Sequence, residues 1–229
     1  EEAALRGEHP WIYDTQDDTN QCFANLPIQL VEHSKLPALF CRCFEQGLCS
    51  PCERPSMAEW LEALVEIDER LYCCSGCDGT TLLSVELDSH DEVSCFFCDE
   101  PADSRLVLFE EFIALPDEAE GWSEEAGYMI ATGRKVWLQP GGDLELKRLM
   151  PTFSYDRWPA DHLRIEYSDQ GLVIYPLSQS KLHLQRGSVK KPLERYQGLK
   201  ESLRGQHEEP YRLHVGELAE SHVIWQFRW

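Results

Sequence analysis

The sequence predicts an α+β protein in three parts: a helical segment, a zinc ribbon and a C-terminal antiparallel β-sandwich. Three observations support this prediction. Apolar residues recur at helical spacing before residue 72, and two tight cysteine pairs follow. From about residue 132, short alternating runs are separated by turn residues, which is typical of a sandwich. The expected boundaries are 1–72 for the helices, 73–104 for the ribbon, 105–131 for a strand and an acidic linker, and 132–229 for the sandwich.

The helical segment is expected to contain two helices. Ser56 and Glu59 have the spacing of a capping box, and apolar residues recur at helical spacing after it. An earlier helix is expected from about Leu36 to Gln46. It should end at Gly47, because glycine commonly follows the last helical residue.

The two cysteine pairs predict a metal site. Two residues separate Cys74 from Cys77, and two separate Cys95 from Cys98, and this spacing is typical of zinc sites. Four thiolates close a tetrahedral shell around Zn²⁺ and leave no position for water, so the metal should be structural. Cys73 could replace Cys74 as a ligand. Reduced core thiols, or disulfides in a secreted chain, are the other interpretations.

A second cysteine group leaves two interpretations open. Cys41, Cys43, Cys49 and Cys52 could bind a second zinc ion, but Cys41 and Cys43 would point to different faces of a helix. The alternative is a set of buried free thiols.

The chain has a net charge of −20, and most of it lies in the first 126 residues. Residues 86–126 sum to −13, with Arg105 as their one basic residue, whereas residues 127–229 sum to +3. A solvated linker and a docking site for a basic partner are both consistent with this pattern. Phosphate binding needs the opposite charge, so nucleic acid is not an expected partner.

The third part contains the alternating runs of a sandwich, and residues 190–205 within it have helix-forming composition. No apolar run is long enough to span a bilayer, so no membrane partner is expected. Ten cysteines without a secretion signal favour a reducing cytoplasm. Glu1 is not a methionine, which indicates a chain that is processed or cut from a longer one.

The first part resembles the end of a protein-kinase C-lobe. Residues 6–11 are similar to the turn after the central helix of that lobe, and residues 53–60 to the R-P-S/T motif that opens its last helix. With a cysteine ribbon directly after it, the segment is similar to the C-terminal part of a bacterial Ser/Thr kinase-like family associated with tellurite-resistance-type gene clusters. The resemblance implies that Arg54 takes the position of a structural arginine that kinases bury against a glutamate, although the matching glutamate is expected to lie upstream of Glu1. The chain has no kinase catalytic motif, so we expect no catalysis by it alone.

The third part resembles a forkhead-associated domain, a β-sandwich that binds phosphothreonine. Arg148 matches the arginine of that family's signature, His162 the histidine, and Ser178 the serine of the last binding loop. Four positions depart from the signature: Lys147, Pro159, Ser180 and Lys181. The resemblance implies a site at which Arg148 could still pair with phosphate.

Together these features predict a non-catalytic, zinc-stabilised protein-interaction and regulatory module of a Ser/Thr kinase-like signalling protein. Its partner would be a protein, either phosphorylated or a kinase catalytic domain. Two alternatives stay open. The chain could be the C-terminal part of an active Ser/Thr kinase whose catalytic half lies outside it, or a reader of phosphothreonine peptides.

Overall fold

The structure is a computed structural model. It describes residues 9–14, 16–20, 30–88, 91–115, 129–147, 161–177 and 181–229, without the side chains of residues 147, 161 and 162.

The first part of the chain is helical. Its elements are α1 (Leu36–Cys41), a π-helical turn (Arg42–Gln46), the short helix α2 (Gly47–Cys49), a 3₁₀ turn (Pro51–Glu53) and α3 (Met57–Asp68). α1 and α3 pack together through a small core that includes Leu39, Ala63 and the partly buried Trp60. Within the described residues, no helix is both long and apolar enough to cross a membrane.

The predicted capping box is confirmed, and the predicted helix end is wrong. The Ser56 hydroxyl accepts from the Glu59 amide, and the Glu59 carboxylate accepts from the Ser56 amide. Gly47 does not end the preceding helix, because helical structure continues to Cys49. A Cβ at Gly47 would lie 2.4 Å from Cγ of Arg54. Glycine is therefore needed there for the close approach of the Arg54 side chain.

A small two-stranded sheet follows, formed by β1 (Leu71–Cys73) and β2 (Thr80–Leu82). The strands are antiparallel, with Tyr72 opposite Thr81. The rest of the ribbon region is loop, closed at its base by a single bridge between Ser94 and Pro101. This region therefore has the two halves expected of a ribbon, each carrying one cysteine pair.

Ten strands form the remainder: β3 (Val107–Ala114), β4 (Met129–Leu138), β5 (Asp143–Lys147), β6 (Asp161–Ser168), β7 (Gly171–Pro176), β8 (Leu182–Arg186), β9 (Val189–Pro192), β10 (Gln197–Lys200), β11 (Tyr211–Val215) and β12 (His222–Phe227). They make a six-stranded sheet in the order β4-β3-β12-β11-β8-β9 and a four-stranded sheet in the order β10-β7-β6-β5. All of these pairings are antiparallel.

The two sheets share the main hydrophobic core. Phe109, Leu213 and Trp225 of the six-stranded sheet belong to the same buried cluster as Leu163 and Ile174 of the four-stranded sheet. Side chains in a strand alternate between faces, so each sheet contributes one apolar face to this cluster. The protein is therefore α+β with mostly antiparallel sheets, as the alternating runs predict.

Two regions differ from the sequence-based expectation. β3 lies in the stretch set apart as a strand and linker, yet it pairs with β12 on one edge and β4 on the other. Residues 190–205, expected to be helical, instead contain most of β9, all of β10 and a 3₁₀ turn at Glu201–Leu203. The most acidic part of the linker, residues 117–125, lies outside the described residues.

The ribbon packs on the outer face of the six-stranded sheet. Leu108 of β3 lies opposite Trp137 of β4, and both point away from the main core. They form a second buried cluster with residues of the ribbon: Tyr72, Cys74, Leu83 and Cys95. The metal-ligand candidates are thus anchored to the sandwich by an apolar contact.

Ion pairs also connect this region to the six-stranded sheet. Nε of Arg134 donates to a Glu69 carboxylate oxygen at 2.9 Å, and another guanidinium nitrogen lies 3.2 Å from a carboxylate oxygen of Glu111. The guanidinium group also lies over the Trp225 ring, 5.0 Å from its centroid. Because Arg134 and both acids are almost fully buried, these ion pairs join the end of α3 to the sheet with little screening by solvent.

Candidate metal centre

Four cysteine sulfurs lie close together in the ribbon. The Sγ atoms of Cys74, Cys77, Cys95 and Cys98 all lie within 4.8 Å of one another. The Cys74–Cys98 distance is 3.7 Å and the Cys77–Cys95 distance is 3.6 Å. A tetrahedral ion with bonds of about 2.3 Å to sulfur needs sulfurs about 3.8 Å apart. The four cysteines therefore lie close enough to hold a metal ion, and the Cys74–Cys98 and Cys77–Cys95 distances are near this separation.

The two cysteine pairs are held by the same backbone geometry. In the first knuckle, residues 74–79, the Cys74 amide donates to the Gly79 carbonyl, and the Asp78 amide donates to the Cys74 carbonyl, both at 2.9 Å. In the second knuckle, residues 95–100, the Cys95 amide donates to the Glu100 carbonyl at 2.9 Å and the Asp99 amide to the Cys95 carbonyl at 3.0 Å. Each knuckle thus presents its two thiols on one side of a tight turn.

Each turn also needs a left-handed residue directly after its second cysteine. Asp78 has a φ of 56° and Asp99 a φ of 57°. Aspartate adopts this conformation at lower cost than most residues, because its short side chain can hydrogen-bond locally. The repeated Cys-Asp dipeptide is therefore the sequence signal for the two turns.

Amide groups stabilise negative charge on the buried sulfurs. The Gly76 amide donates to the Cys74 sulfur at 3.3 Å, and the Phe97 amide donates to the Cys95 sulfur at 3.4 Å. Cys74 and Cys95 are both completely buried, so these amides replace the hydrogen bonds that water would make.

The thiol pKa values show competition for protons within the cluster. Burial raises the pKa of Cys95, but hydrogen bonds from the Phe97 and Cys98 amides and from neighbouring thiols bring it down to about 6. The Glu100 amide lowers the pKa of Cys98, but the adjacent thiols and burial outweigh it and raise the pKa to about 12. One sulfur can thus ionise easily while another is kept protonated. A cation at the centre would let all four bind as thiolates.

The structure separates this group from the other cysteines. Cys73 is exposed in β1 and does not belong to the cluster, so Cys74 supplies the fourth sulfur. Cys41, Cys43, Cys49 and Cys52 do not come together as a second metal-binding group within the described residues. The Cys41 thiol instead donates to a carboxylate oxygen of Glu45 at 3.2 Å.

The other predicted site residues lie mostly outside the described part of the chain. Arg148 and Ser178 lie outside the described residues, and of His162 only the backbone, in β6, is described. Arg54 is exposed, and its Nε donates to the Gly47 carbonyl at 2.8 Å. In the described part of the chain it has no carboxylate partner of the kind that the kinase resemblance implies.

Two structural residues near the site were missed from the sequence. Arg70 is buried, whereas Arg54 is exposed: Arg70 is 1% exposed and donates to carbonyl groups of His33, Glu66 and Leu83. It thereby joins the end of α3 to the ribbon. Thr81 accepts from the Phe96 amide at 3.0 Å and so joins β2 to the second knuckle. No spacing rule predicts either contact.

Comparison of this chain with family models, with curated proteins and with solved structures gave no match in any of the three.

Proposed function

We propose that the chain is a non-catalytic, zinc-stabilised protein-interaction and regulatory module of a Ser/Thr kinase-like signalling protein. One observation carries the proposal: four sulfurs from two matched knuckles lie within 4.8 Å of one another, close enough to hold one metal ion. Four sulfur ligands in tetrahedral arrangement suit Zn²⁺ or iron. Of the two, zinc fits a role without redox chemistry.

A structural role for the metal follows from the ligand set. Four protein ligands fill the coordination shell of Zn²⁺ and leave no position at which water or a substrate could be activated. The buried ligands Cys74 and Cys95 belong to the same cluster as Leu108 and Trp137. Metal binding would therefore stabilise the ribbon together with its contact to the sheet.

An interaction role is supported by the way in which the ribbon is mounted. It is fixed to the sandwich by the Leu108–Trp137 pair and by the ion pairs of Arg134. A rigid support of this kind keeps the exposed side of the ribbon in one shape, which lowers the entropy cost of binding a partner. The resemblance to kinase C-lobe and forkhead-associated sequences is the reason to place that partner in kinase signalling.

The test compares a buried cysteine of the cluster with an exposed cysteine outside it. Cys95→Ser removes a buried ligand, so bound zinc should fall below one ion per chain and the thermal unfolding temperature should drop by about 10 °C or more. Cys73→Ser changes an exposed thiol outside the cluster and should keep both zinc and stability. Elemental analysis and thermal unfolding of the two variants provide the measurements. Equal zinc content and equal stability in both would exclude the proposed metal site, and iron in place of zinc would correct the identity of the metal.

A further inference from the structure

The second knuckle carries two exposed aromatic side chains between its metal ligands. Phe96 and Phe97 are 44% and 53% exposed, and their rings meet edge to face with centroids 5.5 Å apart. The metal does not require them, because the first knuckle makes the same turn with Ser75 and Gly76 between its cysteines. Two adjacent phenylalanines in water are costly without a partner, so they point to a binding surface.

This aromatic pair is held in place. A Cβ on Gly79 would lie 2.6 Å from the Phe97 ring, so the ring rests directly on the first knuckle. The Phe96 amide is fixed by the Thr81 hydroxyl, and the Phe97 amide by the Cys95 sulfur. A partner would therefore meet a surface that is already ordered, and it would not have to immobilise a flexible loop.

A cavity opens beside Phe96. It has a volume of about 530 Å³, with an apolar part formed by residues such as Leu82, Leu87 and Val93, and with Glu92 and Asp99 among its acidic residues. That volume is within the range of pockets that accept a large side chain or a small ligand. The cavity is thus lined by apolar side chains and by carboxylates.

The charged side chains of the ribbon itself, residues 71–104, are acidic. Residues 71–104 contain eight acidic residues and no lysine or arginine. Among the described residues, Glu92, Asp99 and Glu100 have no basic partner, whereas Asp103 is paired with Arg105. A four-thiolate zinc site would add two further negative charges, since four thiolates outweigh one Zn²⁺. Nucleic acids and anionic membranes would be repelled by this surface.

We propose that Phe96 and Phe97, with the adjacent acidic cavity, bind a basic segment of a protein partner. The segment would carry an apolar side chain for the cavity, flanked by lysine or arginine for Glu92, Asp99 and Glu100. An arginine can also stack on a phenylalanine ring. This inference rests on the proposed function, because the knuckle that presents the aromatic pair needs its metal.

The test uses the full, zinc-loaded chain and fluorescein-labelled synthetic peptides of about a dozen residues. One set of peptides carries lysine and arginine around a central leucine or phenylalanine. A matched set carries glutamate at the same basic positions. Fluorescence anisotropy at low and high salt gives the Kd for each. We expect binding of the basic set only, and affinity that falls as salt is raised, because the attraction between exposed charges is screened.

The variants separate this surface from the metal site. Phe96→Ser and Phe97→Ser should weaken binding by about tenfold or more, as expected for aromatic anchors. Glu92→Gln should weaken it by only about threefold, because an exposed ion pair contributes little. Ser75→Ala on the first knuckle is the matched control and should leave the Kd unchanged. Zinc content, measured for every variant, should stay at one ion per chain.

Two kinds of failure can be told apart. The inference is overturned if the zinc-loaded chain binds neither set, binds both equally, prefers single-stranded DNA or anionic vesicles, or binds basic peptides equally well after both phenylalanine substitutions. Loss of zinc from the wild-type chain during purification, with the fold unchanged, would instead count against the proposed metal site.

Discussion

The two knuckles of the ribbon have the same backbone and different surfaces. Each closes with the same pair of backbone hydrogen bonds, and each places an aspartate in the left-handed conformation after its second cysteine. Between the cysteines, however, one knuckle has Ser75 and Gly76, and the other has Phe96 and Phe97. Metal ligation accounts for what the knuckles share. The residues between the cysteines differ and are not needed for metal ligation. We therefore assign partner binding to Phe96 and Phe97.

Metal removal should affect both knuckles alike and have the largest effect. In small zinc domains the metal contributes ~10 kcal/mol to folding, so a strong chelator should release the whole ribbon. Amide hydrogen exchange in residues 71–104 is expected to become faster by on the order of a hundredfold or more. Amides of β6 and β11, in the main core, serve as the control and should keep their protection. Protection that persists in one knuckle alone would show that the two halves do not share an ion.

The two glycines of the first knuckle should respond differently to alanine. At Gly79 a Cβ would lie 2.6 Å from the Phe97 ring and 3.1 Å from the Cys77 sulfur. Gly79→Ala should therefore cost ~1–3 kcal/mol in the free energy of unfolding, the range for overpacking. At Gly76 the nearest atom would be 3.6 Å away, so Gly76→Ala should stay within ~0.5 kcal/mol of wild type. Denaturant unfolding measures both. Equal costs would mean that Phe97 does not rest on Gly79.

The aspartates after each cysteine pair should be equivalent. Asp78→Ala and Asp99→Ala are each expected to cost ~1 kcal/mol, because alanine pays more for a left-handed φ than aspartate does. Asp78→Gly and Asp99→Gly should be close to neutral, since glycine adopts this conformation freely. Thermal unfolding of the four variants compares the knuckles directly. A difference at only one position would indicate that the two turns are not alike.

The sequence predicts the local features of this fold better than the distant ones. Ser56 with Glu59, and the cysteine pairs, are short-range patterns whose spacing determines the geometry, and the structure contains both. Spacing along the chain does not predict the role of Gly47, because that role depends on a contact with Arg54 across a turn. The position of β3 inside the six-stranded sheet also depends on pairing with β12, more than a hundred residues further along the chain. Local composition carries no information about that partner.

The candidate metal site shows the same difference between local and distant features. The four ligands follow from spacing alone, whereas the choice of Cys74 over Cys73 depends on which of two neighbours faces inward at the end of β1. The kinase resemblance draws attention to Arg54, whereas the arginine that donates to three carbonyl groups of separate segments is Arg70. The kinase-like and forkhead-associated-like assignments, and the roles of Arg148, His162 and Ser178, stay predictions.

β3 and β4 serve two cores at once, since Phe109 and Val136 face the sandwich while Leu108 and Trp137 face the ribbon. A chain deprived of its metal would therefore keep its sandwich but uncover an apolar strip on that sheet's outer face. The metal-free protein would therefore keep a folded sandwich and expose an apolar surface. Such a surface would promote aggregation or binding by chaperones. The supply of that metal would therefore determine how much of the protein stays unaggregated.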